Sequence, residues 1–511
     1  MQTRSRAAVA TPSGNLAAIE TAITRARFEQ ANDLLREIGE TNDPATILLA
    51  GKLEVLRDNA PAAIRLLSDR RFGRSRAEME RTLWLGAACS RVGEYEAADE
   101  YFEVAHALAS RLGDLDALAE IAMRRGRRYA YAGELARARE QQQLALRSST
   151  RAGKVEAQHF ESFLYGLEGR YALQASGLVR LLEEMDPADE DLALHAAYAT
   201  YTLAILAREL DLPQALPVIE RHLRGCAWPA DLNVQRFQSL KALGWSYALR
   251  GDYFNAFRYL KKSMAFAPSP AWQTIATADR AYLARCLNEE RWARQELSEA
   301  EELAEAVDWR TTRNEERIGL LLLAEMFATV DVGRAAQYMA LFRDLGDLRV
   351  PMLQYGHDDT RLQAQADYSA GVTQLALGNS KAGIKLLRRS FESYDRIGYD
   401  WRAGRCALRL FEATGEIDQL HIAAEKLRRY PNSWLADELR KHGCGKSALP
   451  PLPRMQQRVF EELCRGLSTA QIAKNLGRSE YTIKNHLKLI FKAFGVKSRA
   501  ALIAQVSQRG G

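Results

Sequence analysis

LGWSYALRGDYFNAFRYLKKSMAFAP, residues 243–268, reads as two amphipathic helices folded back on one another. Gly244 and Ala256 are small, which lets the two helices approach closely. Gly251 stands at the turn between them, and Tyr247, Tyr253 and Leu260 are placed to fill the groove. A unit of this kind predicts an all-α chain assembled from stacked hairpins.

The same frame recurs on both sides of this stretch. It is visible at Gly86, Gly93, Tyr95, Ala98, Phe102 and Ala105, and again at Gly126, Tyr129, Gly133, Ala138 and Ala145. Weaker copies stand at Gly51, Ala63 and Leu67, and at Gly371, Gly378, Gly383 and Leu387. The pattern resembles the tetratricopeptide (TPR) consensus, in which a proline such as Pro268 closes the second helix. Gly86, Gly126 and Gly166 are forty residues apart, longer than the roughly 34 of the standard unit, which predicts longer helices per repeat. From about Asn15 to Leu439 the chain is rich in Ala, Leu, Glu and Arg, poor in Pro, and lacks sustained period-two alternation. The expected organisation is a tail over 1–14, a TPR-like superhelix of nine to eleven hairpins over 15–439, a linker over 440–451 and a C-terminal domain over 452–511. The linker follows from two glycines and from Pro450, Pro451 and Pro453.

Charge separates these parts. The chain of 511 residues has a net charge of +6, yet Pro450 to Gly511 alone holds eleven Lys or Arg against three Asp or Glu, a net +8. The remainder is therefore close to neutral at −2, and a small basic domain on a neutral body is the footprint of a nucleic-acid reader. The longest apolar run, Ile318 to Ala324, is broken by Glu325, so no membrane span is expected. Six cysteines without metal-ligand or disulfide spacing fit a reducing, cytoplasmic setting. Arg124, Arg125, Arg127 and Arg128 cluster beside Tyr129 and Tyr131, and read as a solvated helix face, with an acidic partner as the alternative.

The C-terminal domain reads as four helices. The first runs from about Pro453 to Arg465 with Val459, Phe460 and Leu463 inward, and Gly466 as its stop. The second begins at Ser468 with Gln471 three residues on, a capping-box pattern, and carries Ile472, Ala473 and Leu476 inward. Only Gly477 and Arg478 separate it from the next cap, Ser479, so the second and third helices must cross steeply, as in a helix-turn-helix. On the helix from Ser479 to Phe494, Ile483, Leu487, Ile490, Phe491 and Phe494 form one apolar stripe. Tyr481, Lys484, Asn485, Lys488 and Lys492 form a second stripe with no acid in it. Lysines four apart repel, an arrangement that makes sense when phosphates will neutralise them.

GLSTAQIAKNLGRSEYTIKNHLKLIFKAFGVKSRAALI, from Gly466 onward, resembles the LuxR/FixJ-type DNA-binding domain. Gly466, Leu467, Ser468, Ile472, Ala473, Leu476, Ser479, Thr482, Lys484, His486, Ile490, Val496 and Arg499 match that family's pattern. The resemblance implies double-stranded DNA as partner, with Lys484, Asn485, Lys488 and Tyr481 at the groove. It places Ser468, Thr469, Ser479, Thr482 and Lys492 near phosphates; Arg499 either joins them or braces the third helix. His486 is expected to be structural. The final helix, with Leu502, Ile503 and Val506, resembles the segment through which the family dimerises on two half-sites. Two departures stand out. Pro453, Met455, Gln456 and Arg458 replace the usual acidic first helix, and Ala493–Phe494 replace Lys-Leu.

Other motifs fail. GCGKS at 443–447 lacks the first glycine and the preceding strand of a phosphate loop. His357, Asp358 and Asp359 have no second ligand set, so no metal or other cofactor is expected, and no catalytic constellation emerges. The expectation is a transcription regulator whose array senses a peptide, protein or small-molecule effector. The alternative is a TPR adaptor tethered to nucleic acid by its basic domain.

Overall fold

The computed structural model describes residues 12–39, 41–226, 228–312, 315–346, 360–443, 452–464, 467–494, 496, 498, 499, 501 and 502. Every regular element among them is helical, and the chain divides into two compact units. One contains the described residues up to Ser246 and those from Phe254 to Tyr399; the other contains Tyr247–Tyr253 and everything from Asp400 on.

The first unit opens with five hairpins: α1 (Pro12–Thr24) with α2 (Phe28–Ile38), α3 (Pro44–Leu56) with α4 (Ala60–Leu67), α5 (Arg76–Val92) with α6 (Tyr95–Leu112), α7 (Leu115–Tyr131) with α8 (Leu135–Ala145), and α9 (Arg151–Leu167) with α10 (Tyr171–Glu184). Five more follow. They are α11 (Ala193–Leu210) with α12 (Leu216–Gly225), α13 (Asn233–Ala248) with α14 (Tyr253–Met264), α15 (Pro270–Cys286) with α16 (Glu290–Glu305), α17 (Ile318–Phe327) with α18 (Val332–Asp344), and α19 (Thr360–Ala376) with α20 (Ser380–Arg396). In the second unit α21 (Asp400–Thr414) pairs with α22 (Ile417–Lys426), and α23 (Trp434–Lys441) packs against α22. The described residues thus hold eleven hairpins, the upper end of the expected range. Helix α1 begins three residues inside the expected tail, and α23 runs two residues into the expected linker. Residues 444–451, with Pro450, Pro451 and most of GCGKS, lie outside the described residues, as do His357, Asp358 and Asp359.

Local chemistry fixes each hairpin. Asp43, Ser75, Asp114 and Thr150 cap α3, α5, α7 and α9, each accepting a backbone N–H from the first turn. In four hairpins the glycine of the first helix faces the side chain sixteen residues later. A Cβ at Gly51 would stand 2.6 Å from Leu67, at Gly86 2.8 Å from Phe102, and at Gly244 or Gly371 2.9 Å from Leu260 or Leu387. Those large side chains are completely buried, so the missing Cβ is what admits them. This contact underlies the sequence frame at those four positions, whereas a Cβ at Gly126 would stand 2.8 Å from Phe160 of the next hairpin. Tyr253, half-buried, donates its hydroxyl to the Asn432 carbonyl at 3.3 Å.

Successive hairpins then stack through their first helices, α1 on α3, α3 on α5, α5 on α7 and α7 on α9. The arginine cluster on α7 is not a solvated face. Arg124 and Arg127 both reach Glu156 on α9, at 2.9 and 3.5 Å, and Arg125 reaches Glu103 on α6 at 2.5 Å. Arg128, only 9% exposed, bridges Asp99 and Glu134 at 2.6 and 2.5 Å. These guanidinium groups tie neighbouring hairpins together and are neutralised within the array, which leaves little for an acidic partner. No helix among the described residues is long and apolar enough to cross a membrane.

Candidate nucleic-acid interface

The C-terminal domain is built on α24 (Arg454–Cys464), α25 (Thr469–Leu476) and α26 (Glu480–Ala493). Val459, Leu463, Ile472, Ile483 and Ile490 are fully buried in its core, with Phe460, Ala473, Leu487 and Phe494 nearly so. Phe494, one of the departures from the family pattern, stacks on Phe460 with ring centroids 5.0 Å apart and planes 23° from parallel. The larger ring therefore has a partner on the atypical first helix, an offset pair of the favourable kind. Asn475 on α25 donates to Glu462 on α24 at 2.9 Å.

Helix α25 carries the capping box foreseen from its sequence. Ser468 Oγ accepts from Gln471 N at 3.3 Å while Gln471 Oε1 accepts from Ser468 N at 2.8 Å. It ends at Gly477, whose φ of +61° is a left-handed conformation that a side chain would strain. Ser479 then caps α26, accepting from Thr482 N and sharing a 2.8 Å hydroxyl contact with Thr482 Oγ1. The turn from Gly477 to Ser479 thus fixes where α26 starts and which way it leaves α25.

That geometry divides α26 cleanly. Ile483, Leu487 and Ile490 point into the core, while Lys484, Asn485, Lys488 and Lys492 are exposed and Tyr481 is 75% exposed. None of the three lysines forms an ion pair with a described carboxylate. From Lys484 to Lys492 the axis advances about 12 Å, close to the width of a B-DNA major groove. One residue on this side was not foreseen. Leu489, 50% exposed and one turn beyond Asn485, sits at the edge of the polar stripe. The sequence reading places it in neither stripe, and only its angular position, away from Ile490 and Leu487, reveals it.

The remaining expected site residues fall differently. Ser468 and Ser479 use their oxygens for capping, and Thr469 and Thr482 stand in the first turns of α25 and α26, where exposed N–H groups favour anions. Arg499 Nη2 donates to the Leu467 carbonyl at 2.7 Å and lies 3.4 Å from that of Leu463, so it reaches the end of α24 and the residues before α25 and not the third helix that it was expected to brace. Half-buried His486 keeps its Nδ1 buried without a partner. Leu502 is fully buried among the core residues of its own domain, which corrects its reading as a dimer contact: it has no surface to offer a second copy. Ile503, Val506 and Gly466 lie outside the described residues.

With this geometry in view, comparison with known proteins bears mainly on the same segment. Over the full length, the chain is similar to human IFIT1, solved as a dimer with PPP-AAAA, at 14% identity and a TM-score of 0.34, covering 83% of this chain and 94% of that one. It is also similar to the APC/C hetero-tetramer Cut9–Hcn1, at 12% identity and a TM-score of 0.30, covering 97% and 96%. Scores this low do not fix how the hairpins are arranged. The C-terminal match is of another order. The spore germination protein GerE of Bacillus subtilis (strain 168) is 33% identical over 61 residues, which cover 82% of that protein and 12% of this chain. Residues 450–506 match the family described as bacterial regulatory proteins, luxR family. Through this C-terminal domain, carrying the lysine stripe of α26, the chain belongs to the luxR family of bacterial regulatory proteins.

Proposed function

We infer that the protein is a one-component transcription regulator in which α26 enters the major groove of promoter DNA. In this reading Lys484, Asn485, Lys488 and Tyr481 face base edges, while Lys492, Ser468, Thr469, Ser479 and Thr482 meet phosphates. Arg499 acts by holding the end of α24 against α25, and Leu489 offers an apolar contact to a thymine methyl. The observation that carries the reading is the unpaired stripe of α26, mounted on a helix whose opposite side is buried in the domain core. The luxR-family match supports it independently.

The helical-hairpin array is the sensing part in this proposal. An effector on it must favour one of two arrangements of the DNA-binding domain, since a ligand indifferent to both shifts nothing. The protein acts as a dimer on two half-sites about 34 Å apart, as the family resemblance implies. The test is a gel shift on a duplex enriched from a random pool by the full chain. Lys484→Glu is expected to abolish specific binding, and wild-type affinity to fall steeply with salt. Wild-type binding that ignores salt, or an enriched pool without any shared sequence, would remove the groove-reading role.

A further inference from the structure

The first helices of the first five hairpins, α1, α3, α5, α7 and α9, line a half-open cavity of about 870 Å³. Its wall repeats a simple pattern. On α5, residues Arg76, Glu80 and Trp84 follow one another turn by turn along the wall, and on α7 Asp116 and Glu120 stand at the corresponding positions forty residues later, with Arg124, the third, outside the wall itself. Leu48, Leu83, Met79 and Met123 supply the apolar part. The volume falls within the range of small-ligand pockets, roughly 300–1,000 Å³.

Charge says what kind of ligand. Carboxylates outnumber cations in the wall by seven to two. Several of them are committed: Asp43 and Asp114 cap helices, Asp116 accepts from Ser148 and Ser149, and Glu156 is held by Arg124 and Arg127. Glu80 and Glu120 are less well served. Glu80 shares Arg76, itself 70% exposed, with Asp114, and Glu120 has Arg124 at 3.4 Å on a guanidinium already engaged at 2.9 Å by Glu156. Burial raises the Glu80 carboxyl from its ordinary value against the lowering charges of Arg76 and Lys52, and the neighbouring charge of Glu120 adds to the rise. Two like charges set at the same frame of adjacent helices, beside an apolar wall, are an arrangement that a cation with N–H donors relieves. A metal ion is a poor candidate, because no group of three or more described His, Cys, Asp or Glu side chains could hold one.

We propose that this cavity binds a small organic cation, with an ammonium or guanidinium group between Glu80 and Glu120 and an apolar body against Leu48, Leu83, Trp84 and Met123. The Trp84 ring already has Arg124 at 4.9 Å and Lys52 at 5.6 Å from its centroid, so the ligand's charge goes to the carboxylates and its hydrocarbon to the wall. The proposal rests on the reading of the array as the sensor and gives that sensor a ligand class.

Titration calorimetry of the full chain with n-hexylammonium and 4-phenylbutylammonium tests it, with hexanoate and hexanol as matched controls. Saturable binding of the two amines at one site per chain is expected, with no saturable binding of hexanoate. Glu80→Gln and Glu120→Gln should each weaken the amines about tenfold, the size of one lost charged hydrogen bond. Glu96→Gln, on an exposed position outside the cavity, should leave binding unchanged. Ala152→Trp, at an exposed position on the cavity wall, should weaken binding without altering any charge, which covers the case of a glutamine variant that fails to fold. Equal affinity for hexylammonium and hexanoate, or binding that ignores all three cavity variants, overturns the proposal. So does a preference for a lysine-containing hexapeptide over the free amines. Promoter binding measured in the same samples separates the two layers. Amine binding that leaves DNA affinity unchanged keeps the site and removes the sensing role, whereas an acidic effector that shifts DNA affinity keeps the sensing role and removes this site's assignment.

Discussion

Lys492→Ala and Asn485→Ala should fail in different ways, because the proposed docking of α26 puts the two side chains at different depths. Both are exposed on one stripe, but the axis advances about 10 Å between them, most of the width of a major groove. With Lys484, Asn485 and Lys488 toward the floor of the groove, Lys492 comes out near the phosphate rim. Each phosphate neutralised contributes about −0.9 to the slope of log K against log salt. Lys492→Ala should therefore make the slope shallower by about 0.9 and weaken enriched and random duplexes by the same factor. Asn485 carries no charge, so its loss should leave the slope alone. It should cost about 1–3 kcal/mol on the enriched duplex and almost nothing on a random one, the value of a bidentate base contact. Fluorescence anisotropy of a labelled duplex, titrated with the full chain between 50 and 300 mM salt, measures both quantities. The assignment of depth is refuted if Asn485→Ala weakens both duplexes equally, or if Lys492→Ala changes only the enriched one.

Three further outcomes follow from the geometry. Gly477→Ala should destabilise the DNA-binding domain by about 1 kcal/mol, since its φ of +61° is a conformation that a Cβ disfavours; chemical denaturation followed by the domain's own helicity would show it. Phe494→Leu restores the family residue but removes the ring stack on Phe460, and should also lower that domain's stability, by about 1–2 kcal/mol, where an unchanged midpoint would discount the stack. The array should lose stability as pH falls below about 6.5. Burial holds His159 down to about 3 and lowers His195 as well, so the unfolded chain binds protons there that the folded array excludes. Each histidine can contribute at most about 1.4 kcal/mol per pH unit. Glu156, held down to about 2 by Arg124 and Arg127 against the cost of burial, adds a loss of the same sign below pH 4.5. Urea melts at pH 7 and pH 5 should differ accordingly, and His159→Asn should reduce the difference.

The hairpins were legible because their contacts are local. A glycine and a large side chain sixteen residues on, as in Gly86 with Phe102, form one motif within one hairpin, so a single sequence frame contains both partners. The polar side of α26 was legible for the same reason: helical periodicity alone sorts Lys484 from Ile483. What escaped was set by residues far apart in the chain. The cavity is assembled from α1 to α9, with Glu20 and Glu156 on opposite ends of that span, and no local pattern announces that they line one space. Leu502 looked like a surface contact because its helix resembles a dimerising one, while its burial depends on Val459 and Leu463 some forty residues earlier.

The two basic clusters make the sharpest contrast. Arg124, Arg125, Arg127 and Arg128 and the lysines of α26 look alike in the sequence, yet they end in opposite electrostatic states. The arginines meet Glu103, Glu156, Asp99 and Glu134, brought to them by the stacking of neighbouring hairpins. The lysines belong to a small helical domain whose described carboxylates, Glu462 and Glu480, pair with none of them. Half-buried internal pairs are screened little by salt and release no counterions when DNA arrives. Of these two clusters, the lysine stripe is the one with charge left to exchange for phosphate. It follows that the salt slope of the full chain should equal that of a variant carrying Arg125→Gln and Arg128→Gln, provided the variant folds, whereas Lys488→Gln alone should reduce it. A slope that fell with the arginine changes would mean that the array itself lies against the duplex.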